Sequence, residues 1–338
     1  MNEAFVKIDN NLVWDGIKQP FYEVYYLKIN DADGQWGLWL RYSFTTPAPG
    51  SPNGIASLWA IYTEKGGEKI VIRQDYDMGK HDVVHADQFI QIDNSNLSLA
   101  DCMGGVGNDK DTIKWELVFE DPVVSSRLYP HAFFYESSFP PSKIVSPRLL
   151  GFVTGTIYIN HKKIKLFRNR VHQGHVFGTA LAPSWAWANC IDFREDTEAY
   201  FEGLSARVPL GRSKMTRQFS LFSVGMEGER FVANSLIKMV WLNKSDADFT
   251  TWNAAFEKSG YRFECLIQRR PEDVLGLTWD GPNREKLFCY ASLLSDIEIK
   301  VFKRRRGAWQ DYKLLTAKGK CAFETVAAQT RSEIPLQA

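Results

Sequence analysis

The chain has 338 residues, 41 Lys plus Arg against 40 Asp plus Glu, and a formal charge of +1 at pH 7. That near-neutral balance gives no electrostatic basis for a dedicated nucleic-acid binder, which needs a surplus of cations to face phosphates. With 14% aromatic and 24% charged residues, the composition excludes a disordered chain, and the length suits about two domains that need no metal or disulfide to fold.

The segment Met1 to Asp9 has no basic region leading into an apolar one, so no secretory signal is expected. No run of about 18 apolar residues occurs, which argues against a transmembrane helix. The five cysteines, Cys102, Cys190, Cys265, Cys289 and Cys321, are widely spaced and form no CxxC pair. Neither a disulfide framework nor a zinc site is indicated, and the expected location is cytoplasmic.

Along the chain, apolar residues recur mainly with period two in short runs. Leu38-Trp39-Leu40-Arg41-Tyr42-Ser43-Phe44, Lys69 to Arg73, Thr156 to Ile159, Ile164 to Leu166 and Ile297 to Val301 read as half-buried antiparallel strands rich in β-branched and aromatic residues. Asp33-Gly34, Asn53-Gly54, Gly66-Gly67 and Asp280-Gly281 read as the turns between them. Asp246 to Lys258 reads as a helix, with Phe249, Trp252 and Phe256 on one face and Gly260 as a stop. Many short strands without alternating long helices argue for a sandwich or barrel and against Rossmann or TIM architectures.

An internal echo suggests duplication. Lys114 to Pro122 resembles Tyr261 to Ile267, and closely spaced tryptophans, Trp36 and Trp39, then Trp185 and Trp187, stand near the start of each half. Three prolines between Phe139 and Arg148 interrupt strand pairing and place the seam there, giving domains 1–145 and 146–338.

Several apparent signatures are weak on their own terms. His81-Asp82-Val83-Val84-His85 has the spacing of a zinc-protease helix, but Asp replaces the Glu base and the context is not helical. Gly104-Gly105-Val106-Gly107 is followed by no helix of the dinucleotide-binding type and reads as a flexible turn. Lys303-Arg304-Arg305-Arg306 before Gly307 reads first as a solvated hairpin tip and second as a weak attractor of anionic lipid. No GxSxG elbow or P-loop is present.

Chemistry concentrates between His172 and Asp192, where His172, His175, Phe177, Trp185, Trp187 and a carboxylate fall within 21 residues. In Trp185-Ala186-Trp187 the two indoles share one face of a strand. If they face a cavity they offer an electron-rich wall to a polyene, a quinone ring or a developing carbocation. A histidine nearby could then act as general acid or base. If they face a core, they are packing groups, the commoner fate of large aromatics.

Phe21 to Lys28, Trp39 to Pro47, Ser57 to Tyr62, Lys114 to Phe119, Ser146-Pro147 leading to Gly155-Thr156-Ile157, and His175 to Trp187 resemble the AttH-like, lipocalin-related proteins. That group also holds the carotenoid hydratases (hydroxyneurosporene synthases), is similar to the tocopherol cyclases and has relatives among pericyclases. The resemblance implies an all-β fold of two lipocalin-like antiparallel barrels with few short helices, an apolar, isoprenoid or polyketide-like ligand, and acid–base chemistry without cofactor or metal.

Carried residue by residue, the resemblance makes His175 the proton-transfer group and Trp185 and Trp187 the aromatic wall, with His172, Phe177, Trp39 and Trp59 as further ligand contacts. Where the hydratase-type pattern runs approximately Asp-His-Asn-Trp-Gly, this chain reads Gly174-His175-Val176-Phe177-Gly178, so the local acid is missing. Asp192, Glu202 or Glu264 is the expected substitute. The leading expectation is a cyclase, hydratase or isomerase working on an apolar molecule inside a barrel. Its rivals are a non-catalytic carrier of such a ligand and a scaffold with no cavity of about 300 Å³ or more. Contact with a membrane is expected to be peripheral at most.

Overall fold

The computed structural model describes residues 9–49, 54–79, 89–210 and 214–337. The His81 to His85 motif lies outside them.

Ten strands form a first antiparallel sheet: β1 (Phe21–Asn30), β2 (Trp36–Thr46), β3 (Ile55–Glu64), β4 (Lys69–Asp77), β5 (Ile90–Ile92), β6 (Ser95–Leu97), β7 (Asp101–Gly107), β8 (Thr112–Arg127), β9 (Ser142–Ile159) and β10 (Lys162–Gly178). Their spatial order is β4-β3-β2-β1-β10-β9-β8-β7-β6-β5. The second sheet is built from β11 (Ser184–Cys190), β12 (Tyr200–Arg207), β15 (Phe219–Met226), β16 (Glu229–Ala233), β17 (Lys244–Ala247), β18 (Thr251–Lys258), β19 (Tyr261–Gln268), β20 (Leu275–Asp280), β21 (Lys286–Arg305) and β22 (Ala308–Ala327). Its order is β16-β15-β12-β11-β22-β21-β19-β18-β17, with β20 on the flank of β21. A small ribbon pairs β13 (Pro209–Leu210) with β14 (Lys214–Met215), and two short helices, α1 (Phe133–Glu136) and α2 (Leu236–Trp241), with one 3-10 turn (Pro271–Asp273), complete the elements named among the described residues.

The chain is therefore all-β in two sheets, as the period-two reading expects. Each sheet curls around its own apolar core, but among the described residues neither closes by ladder hydrogen bonds between its edge strands. The two orders correspond around a centre of β1-β10 in one and β11-β22 in the other, with β5 left without a counterpart and β20 outside the second path. The echoed segments occupy equivalent places, since β8 lies two strands from β10 and β19 two strands from β22. The tryptophan pairs do not match, because Trp36 and Trp39 lie on β2 whereas Trp185 and Trp187 lie on β11, the counterpart of β1.

Three expectations are corrected. The seam expected at 145/146 falls inside β9, which pairs with β8 and β10 in the first sheet; the chain passes to the second sheet only after Gly178. The helix expected over Asp246 to Lys258 is instead the hairpin of β17 and β18. Period two wins there because Trp252, Ala254 and Phe256 alternate into the second core, while the Asp248 carboxylate accepts from the Thr250 and Thr251 amides to make the turn. Gly104 to Gly107 is strand β7 rather than a flexible turn. A Cβ at Gly104 would lie 2.8 Å from the Trp115 ring and closer still to Ser95, so the glycine makes room for packing.

What positions the site is the double burial of the central strands. On β1, Phe21, Tyr25, Leu27 and Ile29 enter the first core, while Tyr22, Val24 and Tyr26 enter a third cluster between the sheets. Strands buried on both faces read as near-continuous apolar runs, which explains Phe-Tyr-Glu-Val-Tyr-Tyr-Leu. Lys28 and Asn30 continue the interface face and tie the sheets together. The Lys28 ammonium donates to the carbonyls of Asn189 (3.1 Å) and Lys320 (2.7 Å), and the Asn30 amide donates to the Leu293 carbonyl (2.8 Å).

Candidate functional site between the sheets

The interface cluster does not fill its space. A cavity of about 130 Å³ opens between β1, β2 and β10 on one side and β11, β12 and β22 on the other. The strand period decides which sequence-predicted residues reach it. Trp185 and Trp187 both do, sharing one face as expected, but they point out of the second sheet into the interface rather than into a barrel. Trp39 lines it from β2 and Trp279 from β20. Trp59 packs behind, 5.2 Å from the Trp279 ring.

His175 is on the opposite face. It sits in the first core, fully buried, its ring stacked on Tyr25 at 4.2 Å. Its Nε2 lies 2.8 Å from the Glu23 carboxylate and its Nδ1 2.7 Å from the Asp9 carbonyl. Glu23 in turn accepts from the Tyr25 hydroxyl and from the amides of Val13 and Trp14. Both ring nitrogens are thus engaged in a sealed network that anchors residues 9–14. The acid beside His175 is Glu23, from the neighbouring strand, and not Asp192, Glu202 or Glu264. Phe177 shares that core face.

Gly174 explains the absent local acid. It is the register partner of Tyr26, and a Cβ there would sit 2.1 Å from the Tyr26 ring. Tyr26 occupies the place that a side chain at 174 would need.

The other expected residues scatter. Asp192 sits at the end of β11, bound by Lys320 at 2.8 Å beside Arg170. Glu264 is a surface residue paired with Arg262. His172 borders the cavity region, 5.6 Å from Tyr26 and 5.8 Å from Trp187. Its Nδ1 lies 3.1 Å from the Leu149 carbonyl, and burial depresses its pKa to about 3, so it is neutral at physiological pH. Glu202 is buried farther along the interface, where the Ser146 hydroxyl donates to it at 2.6 Å; burial raises its pKa to about 7 despite that bond.

Two cavity residues went unmarked in the sequence. The Arg41 guanidinium lies 3.9 Å over the Trp279 ring and 5.4 Å over Trp59. Its Nε and Nη1 are buried without an acceptor among the described residues, and so is the indole nitrogen of Trp39, whereas the Trp187 indole has the Glu202 carboxyl beside it. Burial lowers the Arg41 pKa to about 10, aided by the nearby Arg73, so the group stays cationic near neutral pH. Glu324, the register partner of Trp187, is buried opposite; burial raises its pKa, and Trp185 Nε1 donates to it at 2.6 Å. The one signal for Arg41 was its place on the Trp39 face of β2. Glu324 carried none.

A buried donor without an acceptor costs about 1–3 kcal/mol, and more when charged. Several such donors converging on one space is the arrangement of a ligand site. The geometry offers an apolar wall with a cationic, hydrogen-bonding end, suited to a molecule with a carbonyl or carboxylate head.

Comparison with solved structures agrees with this architecture. CghA bound to Sch210972 aligns over 91% of this chain and 88% of its own at a TM-score of 0.54 and 8% identity. An AttH candidate from Nitrosomonas europaea aligns over 92% and 93% at a TM-score of 0.52 and 10% identity. The chain has the AttH-like, lipocalin-related fold. No protein-family profile and no curated protein sequence matches it.

Proposed function

We propose that this AttH-like protein binds an apolar molecule with a carbonyl or carboxylate head between its sheets and catalyses an isomerising ring closure of it. The observation that carries the reading is the set of unpartnered N–H groups on Arg41 and Trp39 around one cavity. Arg41 would hold the head group and stabilise negative charge developing on its oxygen. Donors placed this way act strongly because the site is dry and already organised. The indoles would hold the chain folded, so that reacting carbons meet with little further entropy loss. Substrate and product are isomers, so electrons balance without an oxidant or reductant. Glu324, with its raised pKa, would lend and recover a proton where the closure needs one.

CghA, whose structure contains Sch210972, supports a small organic ligand for the fold. A cavity of about 130 Å³ is below the range of roughly 300–1,000 Å³ common for drug-sized ligands, so a larger ligand requires an indole to swing aside. That small size also favours a second reading, a carrier for a compact apolar ligand. The test is mass spectrometry of molecules extracted from purified protein, followed by their incubation with fresh protein. Conversion to an isomer of equal mass supports catalysis. Return of the ligand unchanged supports the carrier, and extraction of nothing apolar overturns both.

A further inference from the structure

Helix α2 presents an apolar surface that the cavity does not explain. Ile237 is 71%, Trp241 62%, Leu242 60% and Leu236 46% exposed, and Met215 on β14 is 45% exposed. The opposite side of the same helix, Met239 and Val240, packs on the interface cluster that encloses the cavity. The helix is held rigidly. The Asn234 amide donates to the Leu128 carbonyl at 3.0 Å, and the Asn243 amide to the carbonyls of Ser220 (2.8 Å) and Ala233 (3.0 Å). Concentrated exposed apolar side chains of this kind mark interaction sites.

Charge selects the partner. No Asp or Glu occurs between Gly203 and Met226 or between Arg230 and Ser245. Those stretches carry exposed Lys214, Arg217 and Lys244; the Arg217 guanidinium lies 4.1 Å over the Trp241 ring, and on the helix itself the Lys238 ammonium donates to the carbonyl of exposed Glu257 at 3.3 Å. Aromatic and aliphatic side chains rimmed by cations fit the boundary of an anionic bilayer, where apolar groups enter the acyl region and cations meet headgroups.

We propose that α2 with its basic rim is a docking surface for an anionic lipid bilayer. The inference does not depend on catalysis in the cavity. The expected contact is weak and salt-sensitive, because a few apolar side chains and a few cations give reversible binding only.

Vesicle flotation tests it, using phosphatidylcholine alone and phosphatidylcholine mixed with phosphatidylglycerol, at low and high salt. The wild-type protein is expected to float with anionic vesicles at low salt and to bind neutral ones about tenfold less or weaker still. The double variant Ile237→Ser, Trp241→Ser should lose about tenfold in binding, and Lys214→Glu, Arg217→Glu should lose the preference for anionic lipid. Both change exposed positions, and unaltered thermal unfolding checks that they fold. The proposal is overturned if wild-type protein floats with neither vesicle type, or if all three proteins float alike. It is also overturned if light scattering shows a dimer that the apolar variant abolishes while wild-type protein ignores vesicles.

Discussion

The two faces of the β1-β10 pair carry histidine and tyrosine side by side, yet their polar groups are treated in opposite ways. On the first-core face, His175, Glu23, Tyr25 and the backbone of residues 9–14 satisfy one another completely. On the interface face, Arg41, Trp39 and His172 Nε2 keep buried groups with no partner among the described residues. A saturated network stabilises a fold and leaves nothing for a ligand, whereas an unsaturated one stores the interactions that a ligand can complete. The contrast underlies our proposal that His175 is structural and that the candidate chemistry lies across the strand.

Breaking the saturated side should have the largest effect on stability. His175→Ala leaves Glu23 short of a partner in a dry core and is expected to cost about 3–5 kcal/mol of unfolding free energy, read by denaturant titration.

Next comes the interface carboxyl. With the folded pKa of Glu202 raised from 4.5 to about 7 by burial, the folded protein binds that proton more tightly than the unfolded chain does. Its stabilising contribution is fully present below pH 4.5 and is lost as pH rises through 7. The loss amounts to about 3 kcal/mol. Glu202→Gln should flatten that part of a stability–pH profile, and an unchanged slope would remove Glu202 as its source.

A smaller change is expected at the cavity wall. Trp185→Phe keeps an aromatic ring but deprives the buried Glu324 carboxyl of its indole donor, leaving the Cys289 thiol, and costs about 1 kcal/mol in thermal or chemical unfolding. Smallest of all, Glu264→Gln removes one half-exposed ion pair and should shift stability by less than about 0.5 kcal/mol, with ligand binding unchanged.

Alternation made the strands, the duplicated topology and the shared face of Trp185 and Trp187 legible, because pleating gives side chains a period of two wherever a core lies on one side. It could not say that both faces of β1 and β2 are buried, so Trp39 and Arg41 gave no sign that a second sheet covers them. The histidine was misplaced for a related reason. Parity separates His175 from Val176, but only the packing of both sheets reveals which parity meets the indoles. Glu23 and Glu324 act through diagonal cross-strand neighbours, His175 and Trp185, that are far apart from them in sequence, and no local spacing encodes that. The hairpin at Asp246 to Lys258 satisfied helical and strand periods alike, and its β-branched turn and the onward pairing of β18 with β19 settled it.

The central claim is that the ligand site lies on the Arg41 face and not on the His175 face. Equilibrium binding of a fluorescent polyene carboxylate to wild type, Arg41→Met and His175→Phe tests it most directly, with each protein held well below its unfolding midpoint. The account predicts affinity at least about tenfold weaker in Arg41→Met, the cost of losing a charged hydrogen bond, and near wild type in folded His175→Phe. Equal affinity in wild type and Arg41→Met, with loss only in His175→Phe, would contradict it.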